Sequence, residues 1–233
     1  MSLESGLHQF LFGIYPYICA AVFFFGSLMR FDREQYTWKS DSSQLLRAHE
    51  LRWGSNLFHF GVLFIFFGHF FGMLTPHWAY AWLITSGDKQ LLAMVSGGIA
   101  GVVAIVGLTL LIHRRMADPR ITSNTRRRDL AVLLILWAQL ALGLVTISFS
   151  ARHLDGAMME RLAGWAQRVV TFRPGAAQLI ADVPWVFKTH IVLGLTIFLI
   201  FPFTRLVHIW SGFAAVAYLF RPYQLVRTRR KLV

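Results

Sequence analysis

The chain is organised by five long apolar runs, at approximately residues 11–29, 55–76, 91–112, 130–150 and 187–208. A helix rises about 1.5 Å per residue and crosses a hydrocarbon core in about 20 residues. Each run is therefore predicted to span a membrane, and the expected fold is an all-α integral membrane bundle of five transmembrane helices. The segment 151–186 is not plain loop. Met158, Leu162, Trp165, Ala166 and Val169 recur there at helical spacing, Arg161 and Arg168 fall on the other side, and Asp155 stands where a cap is needed. That pattern predicts an amphipathic helix lying on the outer membrane surface.

The polar connections alternate in charge. Segment 30–54 carries Arg30, Arg33, Lys39, Arg47 and Arg52, and segment 113–129 carries Arg114, Arg115, Arg120, Arg126, Arg127 and Arg128. Between them, 77–90 holds Lys89 and no other lysine or arginine; 151–186 holds Arg152, Arg161, Arg168 and Arg173 over a longer stretch. The tail after His208 is basic again, with Arg221, Arg227, Arg229, Arg230 and Lys231. Basic connections collect in the cytoplasm, so the N-terminus is expected outside and the C-terminus inside. Residues 1–10 read as a short outer tail without a signal-peptide charge pattern, since the first basic residue is Arg30. The division expected is a spanning domain, 1–208, and a cytoplasmic partner-contacting tail, 209–233.

Composition agrees. Of 233 residues, 56% are hydrophobic and 15% charged, with a mean hydropathy of +0.53, whereas soluble domains carry about a quarter charged residues. A net charge of +12 would suit nucleic acid, but its placement in blocks between apolar runs points to membrane lipid instead. The single cysteine, Cys19, sits inside an apolar run. One cysteine holds neither a disulfide framework nor an iron–sulfur cluster, which usually takes four.

The candidate chemistry lies in the histidines. His59 and His69 fall within the second run, separated by FGVLFIFFG, and His190 and His208 lie in and at the end of the fifth. A titratable ring in hydrocarbon is costly, and four such rings are the axial ligands of two haems. With no CxxCH motif the haems would be non-covalent, b-type. The two runs cross in opposite directions, which pairs His59 with His208 near the cytoplasm and His69 with His190 near the outside. On continuous helices ten residues rise about 15 Å and eighteen about 27 Å; tilt, haem-plane tilt or a kink at Pro202 would absorb the mismatch. Eighteen residues complete five turns, so His190 and His208 are expected to point the same way. His8, His49, His77, His113 and His153 read as interfacial side chains that reach water. Gly54, Gly61 and Gly68 repeat every seven residues and suggest a small-residue seam for a neighbouring helix. Gly194, one turn from His190, would give a porphyrin room. Arg205 and the pair Arg114 and Arg115 are candidate propionate anchors, although the pair also suits the ordinary role of loop cations.

Several stretches together are specific: IYPY at 14–17, QYTW at 35–38, SNLFH at 55–59, GHFFGMLTPHW at 68–78, GWAQRVVTF at 164–172 and FPFTRLVHIW at 201–210. In these the chain resembles, along nearly its whole length, the gamma subunits of membrane-bound respiratory nitrate reductases, which are dihaem b cytochromes. It departs mainly at the N-terminal tip, near 41–53 and at the C-terminus. The resemblance implies a multi-pass protein of the bacterial inner membrane with a periplasmic N-terminus, and two haems b on His59, His69, His190 and His208. It implies quinol oxidation near the outer haem and delivery of electrons to an iron–sulfur beta subunit, then to a molybdenum-containing alpha subunit that reduces nitrate. It also matches Lys89 and Gly68 to residues of the quinol site. Lys89 has independent support as the single lysine or arginine of its outer loop, at the start of a span, where an ammonium would hold a quinol oxygen. The competing readings are a dihaem quinol-oxidising subunit of another reductase, a histidine-containing membrane transporter and a haem-free anchor. The transporter is weakened by the lack of Asp or Glu within the spans.

Overall fold

The computed structural model describes residues 3–34, 37–38, 49–123 and 125–212. Among them the regular elements are helical. Five helices are long and apolar enough to cross a membrane: Glu4–Arg33, Leu51–Leu74, Ser86–Ala117, Arg127–Ser150 and Trp185–Phe203. The expected spans are all present.

The first crossing is longer than the pattern suggested. Helix α1 (Leu3–Gln9) passes through a π turn (Phe10–Ile14) into α2 (Tyr15–Arg33), so the expected tail is largely helix. Pro16 sits in the first turn of α2, where its missing N–H costs nothing. The added turns pack on protein: the His8 Nε2 lies 2.8 Å from the Ala177 carbonyl oxygen, and its ring packs on Phe12.

Helices α3 (His49–Leu74), α4 (His77–Tyr80), α5 (Ser86–Ala117), α6 (Pro119–Ser123) and α7 (Arg127–Ser150) follow. The glycine seam accounts for the closest pair, α3 on α5. A Cβ on Gly61 would come 2.7 Å from the Ala100 carbonyl oxygen, one on Gly54 3.1 Å from that of Gly107, and one on Gly107 would collide with the Phe58 nitrogen. Small residues let the two backbones touch. Gly68 is outside this seam, because a Cβ there meets nothing within 4 Å.

The surface helix is α8 (Ala157–Val170), followed by the short α9 (Ala176–Leu179). Asp155 does serve its start, its Oδ1 accepting from the Ala157 N–H at 3.1 Å, while Gly156 takes the left-handed cap position at φ 83°. Arg161 and Arg168 are exposed. The apolar face is turned onto the end of the bundle: Trp165 packs in a buried cluster with Phe12, Ile180, Val183, Val186 and Phe187, and its indole donates to the Phe12 carbonyl at 3.0 Å. Gln167 donates to the Met73 carbonyl at 2.9 Å, satisfying an acceptor at the end of α3 that has no helical partner.

The last crossing is not one continuous helix. Helix α10 (Trp185–Ile200) gives way to 3-10 turns at Phe201–Phe203 and Arg205–Val207. Pro202 lacks an N–H and cannot continue the ladder, and Thr204 is fully extended at φ −122°, ψ 178°. The carbonyls freed by the break are covered by Arg30, which donates to Pro202 and Thr204, each at 2.7 Å. Phe201, Leu206 and Val207 then pack with Val132 in a second buried cluster, against Phe23 and Trp210. The helical rise between His190 and His208 therefore does not apply, and the five-turn argument for their common direction fails with it.

Candidate functional site

Helix α3 packs on α5 and α8, while α10 packs on α2 and α7. The four histidines face one another between α3 and the last crossing. His59 and His208 have ring centres 6.3 Å apart, inclined at 71°; His69 and His190 also stand 6.3 Å apart, inclined at 39°. A metal–imidazole bond is about 2.0 Å, and the ring centre lies roughly 1.2 Å behind its nitrogen, so two axial rings on one metal have centres about 6.4 Å apart. Both pairs fit an iron between them.

The second nitrogens fit too. The Nδ1–H of His59 donates to the Ser55 carbonyl at 2.7 Å, that of His69 to Ile65 at 2.9 Å, and that of His208 to Arg205 at 2.6 Å. A ring whose Nδ1 donates offers its Nε2 lone pair to a metal. His190 differs. Its Nδ1 has no partner among the described residues, and its Nε2 lies 3.3 Å from the Gln139 side-chain nitrogen. Gln139 Oε1 is likewise buried and without a partner. The surroundings of His69 are open: it is exposed, as is Gly68 beside it, and Cβ atoms on Gly68 or Gly72 would meet nothing within 4 Å. That face of α3 therefore leaves room for a flat macrocycle beside the ring.

The α7 contribution was not read from the sequence. A Cβ on Gly143 would come 3.1 Å from His190 Cε1, whereas one on Gly194 would meet the Gln139 nitrogen at 3.0 Å. The glycine against the ring is thus Gly143, and Gly194 makes room for Gln139 instead. The available signal was Gln139 itself, an amide in mid-span with a glycine one turn on. Among the propionate candidates, Arg205 supplies the backbone acceptor for His208. Arg114 is only 2% exposed, which sets it apart from a loop cation, and Arg115 donates to Thr125 at 3.4 Å.

Lys89 lies in the first turn of α5, at the same end of the bundle as the close of α3. Thr85 caps that turn, accepting from the Asp88 N–H at 3.1 Å. The Lys89 ammonium stands 3.6 Å above the centre of the Tyr80 ring, a cation–π contact. Tyr80, on the short helix α4, had not been singled out.

The family model for the nitrate reductase gamma subunit matches residues 8–229. The chain belongs to that family. This gamma chain is 53% identical over 224 residues to the respiratory nitrate reductase 2 gamma chain of Escherichia coli (strain K12), covering 96% of this chain and 98% of that one. It is 54% identical over 224 residues to the respiratory nitrate reductase 1 gamma chain of the same strain, with the same coverage. It is 36% identical over 222 residues to the nitrate reductase gamma chain of Bacillus subtilis (strain 168), covering 95% and 98%. The gamma chain is accordingly a membrane cytochrome b subunit of an oxidoreductase complex, respiratory nitrate reductase, and works in electron transport.

Proposed function

We propose that this chain is a dihaem b cytochrome that oxidises quinol at the outer end of its bundle and delivers the electrons inward. The receiving partner is an iron–sulfur subunit serving a molybdenum-containing subunit that reduces nitrate. The observation that carries the reading is the 6.3 Å separation of ring centres in both histidine pairs. His59 and His208 hold the inner haem, His69 and His190 the outer one. When bound, the haems supply one-electron carriers at two depths of the membrane.

The protein's own groups do the rest. Hydrogen bonds from Nδ1 to the Ser55, Ile65 and Arg205 carbonyls hold three rings in the ligating tautomer. The Lys89 ammonium donates to a quinol oxygen and makes its O–H more acidic. Gly68, with open space where a side chain would be, leaves room for the quinol ring beside His69. The alternation of basic connections supports a periplasmic N-terminus and a cytoplasmic C-terminus, with Lys89 outside, so the quinol protons leave on the periplasmic side.

The test is quinol-dependent haem reduction in a Lys89→Ala variant of the assembled complex. Quinol binding should weaken or its oxidation slow, with both haems retained because Lys89 is not a ligand. Wild-type kinetics with intact quinol affinity would remove Lys89 from the site. Proton release on the cytoplasmic side would overturn the placement altogether.

A further inference from the structure

Each quinol that yields two electrons also loses two protons, and Lys89 cannot take them. An ammonium has donors and no lone pair. Nor is the His69 ring available, since its Nδ1–H is given to the Ile65 carbonyl. Asp88, the nearest carboxylate in the chain, is turned into its own helix cap, where Thr85 donates to it at 2.7 Å.

A different carboxylate is connected to Lys89. The ring under the ammonium belongs to Tyr80, and the Tyr80 hydroxyl lies 3.4 Å from the Ser86 hydroxyl. The Ser86 hydroxyl donates to Glu160 of α8. The same carboxylate oxygen is 3.9 Å from His77 Nε2, and the His77 and Glu160 side chains are 63% and 51% exposed. His77 in turn packs edge-on against Tyr80, ring centres 5.2 Å apart. The connection is built into the backbone. A Cβ on Gly156 would come 2.6 Å from Ser86, and one on Gly87 2.7 Å from the Leu154 carbonyl oxygen. The loop entering α8 is therefore pressed against the first turn of α5, and only glycines permit the approach.

We propose that Tyr80, Ser86 and Glu160, with His77 at the exit, carry the quinol protons from the Lys89 site to the outer aqueous face. The inference rests on the quinol reading above. In each transfer the quinol O–H bond breaks and a bond forms to the Tyr80 oxygen. Tyr80 passes its own proton to Ser86, and Ser86 passes its own to the Glu160 carboxylate. Glu160 releases the proton to His77 or to bulk water. The electron would go separately, to the ferric haem that His69 and His190 would hold. Hydroxyls suit the middle positions because each both donates and accepts.

Tyr80→Phe in the assembled complex separates relay from positioning, because it keeps the ring face under Lys89 and deletes only the hydroxyl. With tetramethyl-benzoquinol as donor, the rate of haem reduction should fall at least tenfold while the quinol concentration for half-maximal rate stays unchanged. Glu160→Gln should slow the reaction similarly at an unchanged half-saturating quinol concentration, since the accepting carboxylate is lost. Glu160→Asp should restore the rate. Asp88→Asn, at the carboxylate turned into the helix cap, should leave the rate unchanged. Unchanged haem spectra in Tyr80→Phe and Glu160→Gln certify the fold. Wild-type rates in both variants, alongside an impaired Lys89→Ala, would overturn the relay alone. A wild-type Lys89→Ala would overturn the relay and the quinol site together.

Discussion

An imidazole that gives its Nδ1–H to an acceptor is held with Nε2 free to ligate, and the four rings are held in this way unequally. Three donate Nδ1–H to a carbonyl three or four residues earlier. His190 has no such bond and is surrounded by α7 instead, between Gln139 and Gly143. Replacing His59 or His208 by Ala should therefore remove one haem and leave the other. A pyridine haemochrome assay should fall from about two haems per chain to about one; no haem in the unaltered chain would sink the ligand assignment. Gly143→Val should act on the outer haem only. Its Cβ alone would come 3.1 Å from His190 Cε1, so a branched side chain must tilt that ring. The expected result is a changed low-spin signal from one haem in electron paramagnetic resonance, with the other signal unaltered. Two altered signals would mean that α7 holds both sites.

The break at Pro202 shows how an element can be right in place and wrong in form. Continuous helix would have separated His190 and His208 by five full turns. The chain instead leaves the α-helix after Ile200, and Arg30, from the opposite end of the chain, covers the carbonyls of Pro202 and Thr204. Arg30→Ala should strip two buried acceptors of a charged donor. Each such loss costs about 1–3 kcal/mol, and the effect should concentrate where His208 follows the break. The inner haem should become labile to detergent extraction while the outer haem is retained; equal retention of both would contradict this. Hydrophobic length exposed the five crossings, and residue type exposed the four rings, because burying either is costly enough to leave a mark on the sequence. The Gly54 and Gly61 contacts were legible for the same reason, as a repeat on one face. What escaped depends on contacts between distant segments. Nothing local announces that Arg30 reaches Pro202, that α8 turns Trp165 toward Phe12, or that Gly143 rather than Gly194 borders His190. The helical start at residues 3–9 was missed because its stabilising partners lie near Ala177.

Charge and chemistry assign the two ends of the bundle to different partners. The sparse end carries Lys89, the surface helix and the proposed proton route; the basic end carries His208 and leads into the tail. Reporter fusions should place the N-terminus outside and the C-terminus inside, and both termini on one side would exclude an odd number of crossings. The tail follows from electron count as much as from charge. On the proposed reading, electrons that arrive at the His59–His208 pair must leave the chain, and a single cysteine, Cys19, buried in α2, provides no cluster to take them. The acceptor must dock close to His208, since transfer weakens steeply with distance. Residues 213–233 lie outside the described structure, but the chain enters them from Trp210 and Ser211, and Ser211 is fixed by a hydrogen bond from the Trp38 indole at 2.7 Å. The tail therefore leaves from an anchored point beside the inner pair. Deleting 213–233 should release the iron–sulfur subunit from the membrane, leaving both haem bands and their reduction by quinol intact. Nitrate reduction with quinol would then stop, whereas nitrate reduction with a soluble artificial donor would persist in the released subunits. A complex that survives the deletion with full quinol-dependent activity would place the docking surface on the other basic connections, 30–54 and 113–129.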